Sequence, residues 1–201
     1  MIIGVCGKKR HGKDTVGRIL VEKFGFQQTA FADAVKRVAM DVWGLSWTQC
    51  YGTESDKETV IPKWGMSPRE ILQKLGTEVG RNIYPDTWIV HCLDNIRASE
   101  EGTLFTFRDD LRETFTRVVG SRMEVPRNWV ITDVRFPNEA EAIRRAGGVI
   151  WKVQRDLPST DSHASETSSD LIIPDVVIDN NSSLEDLQTK VMSLVENADL
   201  V

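Results

Sequence analysis

The sequence predicts an α/β protein, a three-layer sandwich in which a parallel sheet of about five strands lies between helices, and three observations carry that expectation. Short apolar, β-rich runs alternate with amphipathic runs of helical period along the chain, the pattern of strands joined by crossover helices. The first strand-like run leads through a glycine loop straight into a helix-like run, an arrangement that binds phosphate. The 201 residues, 40% hydrophobic and 27% charged, suit a single globular domain with one sizeable core.

Each element has its own signal. Ile2 to Cys6 is apolar and β-rich, Gly7 to Gly12 interrupts it, and Lys13 to Phe24 places Val16, Ile19, Leu20 and Phe24 at helical spacing. Phe26 to Asp33 reads as a second short strand, and Ala34 to Leu45 as a helix stopped by Gly44. Ser67-Pro68-Arg69-Glu70 combines an N-cap, a proline at the first helical position and a capping-box carboxylate, opening a helix through about Val79. Another helix starts at Asp86 and runs to about Ala98, so residues 33–98 form a mainly helical segment. Ser99 to Asn128 has mixed periodicity and strong charge, and is expected to be an excursion in the form of a hairpin. Trp129 to Val134 is the clearest buried strand; Asn138-Glu139-Ala140-Glu141 opens a helix ended by Gly147-Gly148; Val149 to Val153 is the next strand. Residues 155–175 turn polar and rich in Ser, Thr and Asp, as a mobile lid loop would. Asp175 to Asp179 is the last strand, and Ser182-Ser183-Leu184-Glu185 caps a helix to about Asn197.

Composition excludes several classes. A net charge of -5 lacks the basic footprint of general nucleic-acid or anionic-membrane binding. Three widely spaced cysteines, Cys6, Cys50 and Cys92, have neither metal-ligand spacing nor the even count of a disulfide framework, and point to a reducing cytoplasm. No run approaches the roughly 18 apolar residues of a membrane span. The expected partners are small molecules, without nucleic acid or membrane; the excursion leaves a homodimer open.

The loop Gly7-Lys8-Lys9-Arg10-His11-Gly12-Lys13-Asp14-Thr15 fits the phosphate-cradling pattern G-x-x-x-x-G-K and then departs from it, with Asp14 where Ser or Thr is usual. Backbone N–H groups and the helix dipole converge there on an anion, and Lys13 reaches the β and γ phosphates of a nucleotide such as ATP. Thr15 keeps the second hydroxyl position. Two readings of Asp14 are open: a hard oxygen ligand of Mg²⁺, direct or through water, or a carboxylate that favours the helix N-terminus. Lys8, Lys9 and Arg10 add positive charge, one or two of them to phosphate and the rest to a solvated face.

Asp133, at the carboxyl end of the best strand, is placed for a second magnesium acid or, alternatively, for starting a turn. Arg135 and Arg155 follow strands, while Lys36, Arg69 and Arg81 stand near helix ends or turns. Singly each reads as a surface charge. Together they answer the electrostatic need of a transferase that brings a nucleoside triphosphate against a second phosphate. A phosphomonoester acceptor is largely dianionic at pH 7, so His11, His91 and His163 are not required as bases. Trp43, Trp47, Trp64 and Trp88, with Tyr51 and Tyr84, read mostly as core, with Trp88 the preferred residue to stack on a nucleobase.

The blocks GKKRHGKDT, FADAVKRVA, LQKLGTEVGRNIYPDTW, WVITDVRFPNEAEAIRRAGG and DSHASE together resemble the bacteriophage-type deoxynucleoside monophosphate kinases, from the N-terminus to about Glu166 and excluding Ser99 to Asn128. The resemblance implies an adenylate-kinase-like P-loop fold that moves the γ-phosphate of ATP, with magnesium, to deoxynucleoside 5′-monophosphates. By matching position it implies that Gly7, Lys9, Gly12, Lys13, Asp14 and Thr15 hold ATP and Mg²⁺, and that Lys36, Arg81, Asp86, Trp88, Asp133, Arg135 and Glu139 shape the acceptor and transfer site. Arg155, His163, Ser165 and Glu166 then belong to the lid or the acceptor phosphate. The rivals are another small-metabolite P-loop kinase, acting on phosphomevalonate or a coenzyme A precursor, and a non-catalytic nucleotide-binding module.

Overall fold

A computed structural model describes residues 1–100, 104–105, 117–118, 128–157 and 168–197. The chain forms two compact units, one of residues 1–30 with 93–201 and one of residues 31–92.

In the first unit β1 (Ile2–Cys6) is flanked by β5 (Trp129–Val134) and β6 (Val149–Gln154), with β2 (Gln27–Thr29) outside β5 and β7 (Val176–Asp179) outside β6. All four pairings are parallel. Ile3 lies opposite Val130 on one side and Val149 on the other, so the central strand is enclosed and every residue of IIGVC is buried, as a parallel sheet covered on both faces demands. Helix α1 (Lys13–Phe24) returns from the carboxyl end of β1 and ends where Gly25, in the left-handed region, turns its N–H onto Leu20 and Val21. One face of the sheet buries Ile3, Val5, Val130, Trp151, Val153 and Ile178 against Val16, Ile19 and Leu20 of α1 and Leu187, Val191 and Val195 of α9 (Leu184–Asn197). Strand order reverses at β1, and the glycine loop begins at its carboxyl end, the place where open α/β sheets bind their ligands. Within residues 99–128, β3 (Leu104–Phe105) runs antiparallel to β4 (Arg117–Val118), and the residues between them lie outside the described ones.

The second unit is helical: α2 (Ala32–Trp43), α3 (Trp47–Tyr51), α4 (Glu54–Glu58), α5 (Pro68–Gln73), a π-helical stretch (Lys74–Gly80), α6 (Arg81–Ile83) and the start of α7 (Thr87–Glu100). Val35, Ala39, Leu45, Cys50, Ile71 and Leu75 form its core, with Trp43, Trp64 and Trp88 packed against it. Three capping boxes start its short helices, at Ser46 with Gln49, Thr53 with Asp56 and Ser67 with Glu70.

Three boundaries differ from expectation. The helix opened by Ser67 keeps regular α geometry only to Gln73; a wider π turn follows, within which Gly76 O accepts the Nε1–H of Trp88 at 2.8 Å. The second strand ends at Thr29, and Asp33 belongs to the first turn of α2. Within 155–175, Ser169–Leu171 is a 3₁₀ turn; His163, Ser165 and Glu166 lie outside the described residues.

Candidate active site

The glycine loop connects β1 to α1 in a conformation that only particular residues tolerate. Gly7 and Gly12 have φ of 137° and 107°, where L side chains are strained. A Cβ on Gly7 would stand 2.4 Å from Val153 O, so the first glycine also allows the loop to lie against β6. Arg10 adopts φ 64° without a glycine's freedom, an excursion that costs about 1 kcal/mol or more and persists only where surroundings hold it. The holding contacts are visible. His11 N–H donates to Lys8 O at 3.2 Å, His11 Nδ1 lies 3.3 Å from Val153 O, and Asn180 Nδ2 donates to His11 O at 2.8 Å.

Lys13 opens α1 and folds back, donating from Nζ to Gly7 O at 2.7 Å and Lys8 O at 2.9 Å. The ammonium thus stays inside the loop, its charge solvated by the loop's own carbonyls. Asp14 is exposed on the first helical turn and Thr15 is half-buried beside it. Lys8 pairs with Asp170 at 3.1 Å, and Lys152 of β6 approaches the same carboxylate at 3.7 Å. Beneath the loop, burial pushes the Cys6 thiol up to about 11 against the opposing charges of Lys152 and Lys13, so it remains a neutral, unreactive filler.

At the carboxyl end of β5, Asp133 is half-buried and Arg135 exposed. Glu139, expected near the acceptor, is 2% exposed and faces inward: its Oε2 accepts from Arg135 N at 2.6 Å and Phe136 N at 2.9 Å. It caps α8 (Pro137–Arg145), and fixes the turn that carries Arg135. Arg155 is exposed just beyond β6.

In the second unit, Lys36 lies 3.6 Å from Asp33 and 3.9 Å above the Tyr51 ring, while Tyr51 Oη donates to Asp33 at 3.2 Å. Burial, then the Asp33 charge, pushes the Tyr51 phenol up, so it stays a donor. Trp47 stacks on Tyr51 and remains half exposed. Arg69 is engaged by two carboxylates, Glu54 at 2.8 Å and Glu58. Arg81 follows the π-helical stretch and donates to Pro85 O at 3.5 Å; Asp86, half-buried, starts the first turn of α7, accepting from Val90 N at 2.9 Å. Trp88 presents its indole N–H to Gly76 O and its ring to Gly80; the indole holds the backbone ahead of Arg81.

Residues 46–191 match the family model described as deoxynucleotide monophosphate kinase. A protein of Acanthamoeba polyphaga mimivirus bearing that family's name is 35% identical over 204 aligned residues, 98% of this chain and 97% of the relative. The chain belongs to the deoxynucleotide monophosphate kinase family. The deoxynucleotide monophosphate kinase of Escherichia phage RB69 is also similar, 29% identical over 130 residues, 64% of this chain and 45% of that protein. As a member of this kinase family the chain is a phosphotransferase, and the resemblance read from its motifs holds. No helix among the described residues is long and apolar enough to cross a membrane.

Sequence reasoning missed Asp170, Lys152, Asn180 and the Asp33–Tyr51 pair. Nothing local marks them, because each gains its role from a partner on another element. The helices at Trp47 and Glu54 did have a signal, in the capping-box pairs Ser46/Gln49 and Thr53/Asp56.

Proposed function

We propose that the protein transfers the γ-phosphate of ATP to deoxynucleoside 5′-monophosphates, producing the diphosphates for DNA precursor synthesis. The observation that carries this reading is the loop Gly7–Thr15, with its two positive-φ glycines and Lys13 folded among its own carbonyls, in a chain of this family. The loop N–H groups and the amino end of α1 receive the phosphates of ATP, and Lys13 exchanges Gly7 O and Lys8 O for phosphate oxygens.

Among the described residues no three His, Cys, Asp or Glu side chains gather into a metal cage. The carboxylates of Asp14 and Asp133 instead fit a cation held largely by phosphate and water oxygens. Those two residues would hold Mg²⁺, which neutralises charge on the transferred phosphoryl group. Lys36 and Arg81 supply positive charge for the acceptor phosphate, and Arg135 and Arg155 for the group in flight. The acceptor oxygen is already ionised near pH 7, so the chain provides no general base. Trp88 and Glu139 serve by holding the segments that carry Arg81 and Arg135, and Arg69 by fastening α5 to α4. The three cysteines are all free and buried, which supports action in a reducing cytoplasm.

A panel of deoxynucleoside monophosphates with ATP and Mg²⁺, read as diphosphate formed, tests the assignment. At least one acceptor turns over, and Lys13→Ala loses transfer by about 10³-fold or more with the fold intact, the scale of a preorganised charge at the transferred group. Turnover restricted to another phosphorylated metabolite, or near-normal transfer by Lys13→Ala, overturns it.

A further inference from the structure

Asn180 closes β7 with only 8% of its surface exposed. Its backbone N–H donates to Gln154 O at 2.8 Å, rooting it on β6, while its side-chain Nδ2 donates to His11 O at 2.8 Å. The fit on the loop is close: a Cβ on Gly12 would stand 2.5 Å from the same Nδ2. An amide anchored in the sheet therefore grips the turn that delivers Lys13 and the first N–H groups of α1.

The loop needs such a grip. Gly7, Arg10 and Gly12 all have positive φ, and a backbone of that kind stays in place only when its surroundings over-determine it. In the structure Lys13 supplies part of the restraint, bridging Gly7 O and Lys8 O. Those bonds are given up when Lys13 turns to phosphate. The contacts of His11 with Asn180 and Val153 use neither Lys13 nor a backbone N–H of the loop, so nothing in that exchange requires them to break.

We infer that Asn180 is a positioning residue for ATP, holding the His11–Gly12 turn in its phosphate-receiving shape through one buried hydrogen bond. The inference rests on the reading of the loop as the ATP site. Its consequence is a split: losing the bond weakens ATP binding and leaves the acceptor's KM, and kcat at saturating ATP, near the wild-type values.

Titration with MgATP in the absence of acceptor, by calorimetry, is the test. Asn180→Ala lowers ATP affinity about three- to tenfold, the range of one buried neutral hydrogen bond. Asn180→Asp keeps the shape but sets a carboxylate against His11 O. It binds ATP more weakly than Asn180→Ala at pH 8 and recovers on acidification, as the protonated carboxyl regains a donor. Val195→Ala truncates a fully buried side chain near the far end of α9 and reports general loosening: it lowers Tm and leaves ATP affinity unchanged. Should Asn180→Ala not fold, the pH dependence of Asn180→Asp carries the test. Affinity within twofold of wild type in both Asn180 variants, or an equal loss in Val195→Ala, overturns the inference alone. A wild-type protein that binds no MgATP overturns the ATP reading and this inference with it.

Discussion

Gly80→Ala pits helix propensity against packing. Gly80 has φ -60° and ψ -46°, ordinary helical values, so the backbone accepts alanine and gains about 1 kcal/mol from propensity and a less flexible unfolded chain. The new methyl, however, would stand 2.2, 2.6 and 2.8 Å from Cζ2, Cε2 and Nε1 of Trp88. That ring is a rigid plane tied to Gly76 O and packed on the second unit's core, so it has no flexible end to move aside. Overpacking costs about 1–3 kcal/mol, and losing the indole hydrogen bond adds about 1 kcal/mol. The balance is destabilising by about 1–3 kcal/mol, or a Tm lower by roughly 3–10 °C for a chain of this size. Differential scanning fluorimetry reads the stability, and KM for the acceptor reads the displacement of Arg81. Trp88→Leu removes the obstructing ring, so Gly80→Ala becomes neutral or stabilising in that background. A raised Tm for Gly80→Ala alone, or the same loss in the Trp88→Leu background, would refute the reasoning.

Glu139→Ala takes the buried carboxylate away from the part-buried N–H groups of Arg135 and Phe136; with hydrogen bonds to a charged group worth about 1.5–3 kcal/mol each and water replacing part of them, urea melts should show a loss of about 2–4 kcal/mol, with Glu139→Gln retaining part of it. If Asp14 is an oxygen on the metal side, Asp14→Ser keeps more activity than Asp14→Ala, and the Mg²⁺ concentration for half-maximal rate rises in both; equal activities would leave Asp14 a helix-end charge only. Hydrogen bonds from Ser67 hold the Glu70 carboxyl, and hydrogen bonds from Thr53 the Asp56 carboxyl, below the usual range. For depressed carboxyls the stabilisation is fully present above the unfolded value of about 4 and disappears as pH falls through the folded values. Because the Ser67 backbone N–H is the larger of the two holds on Glu70, removing the carboxyl is the clean perturbation: Glu70→Ala narrows its stability deficit against wild type between pH 6 and pH 3, and a constant deficit across that window would count against the cap.

Much of the fold was legible because its signals are local. An apolar run before a glycine loop, a Ser-Pro-x-Glu start and a Gly stop act within a few residues, and β1, α1, α2, β5, β6 and α9 lie where those signals put them. The kinase assignment was equally local, carried by contiguous blocks such as LGTEVGR and DVRFPNE. Side-chain roles were not. Arg69 reads in the sequence as one more cation near a helix start, and only the fold sets Glu54 and Glu58 on it; Glu139 reads as an acceptor-site residue, and only the fold buries it and gives it two backbone donors. Charge is written in the sequence, but its neutralisation depends on residues 11 and 15 positions away, or on the direction in which a helix start faces.

The sequence by itself determined the strand and helix pattern and the glycine loop, since periodicity, glycine placement and a Lys after the second glycine need no distant partner, and its contiguous blocks carried the family and with it the class of reaction. Tertiary structure alone decided what holds the loop and the π-helical segment in shape. Asn180 meets His11 across 169 residues, and Trp88 turns its indole onto Gly76 rather than toward solvent. Contacts of that kind depend on strand order and helix packing, which bring together groups that no sequence window contains.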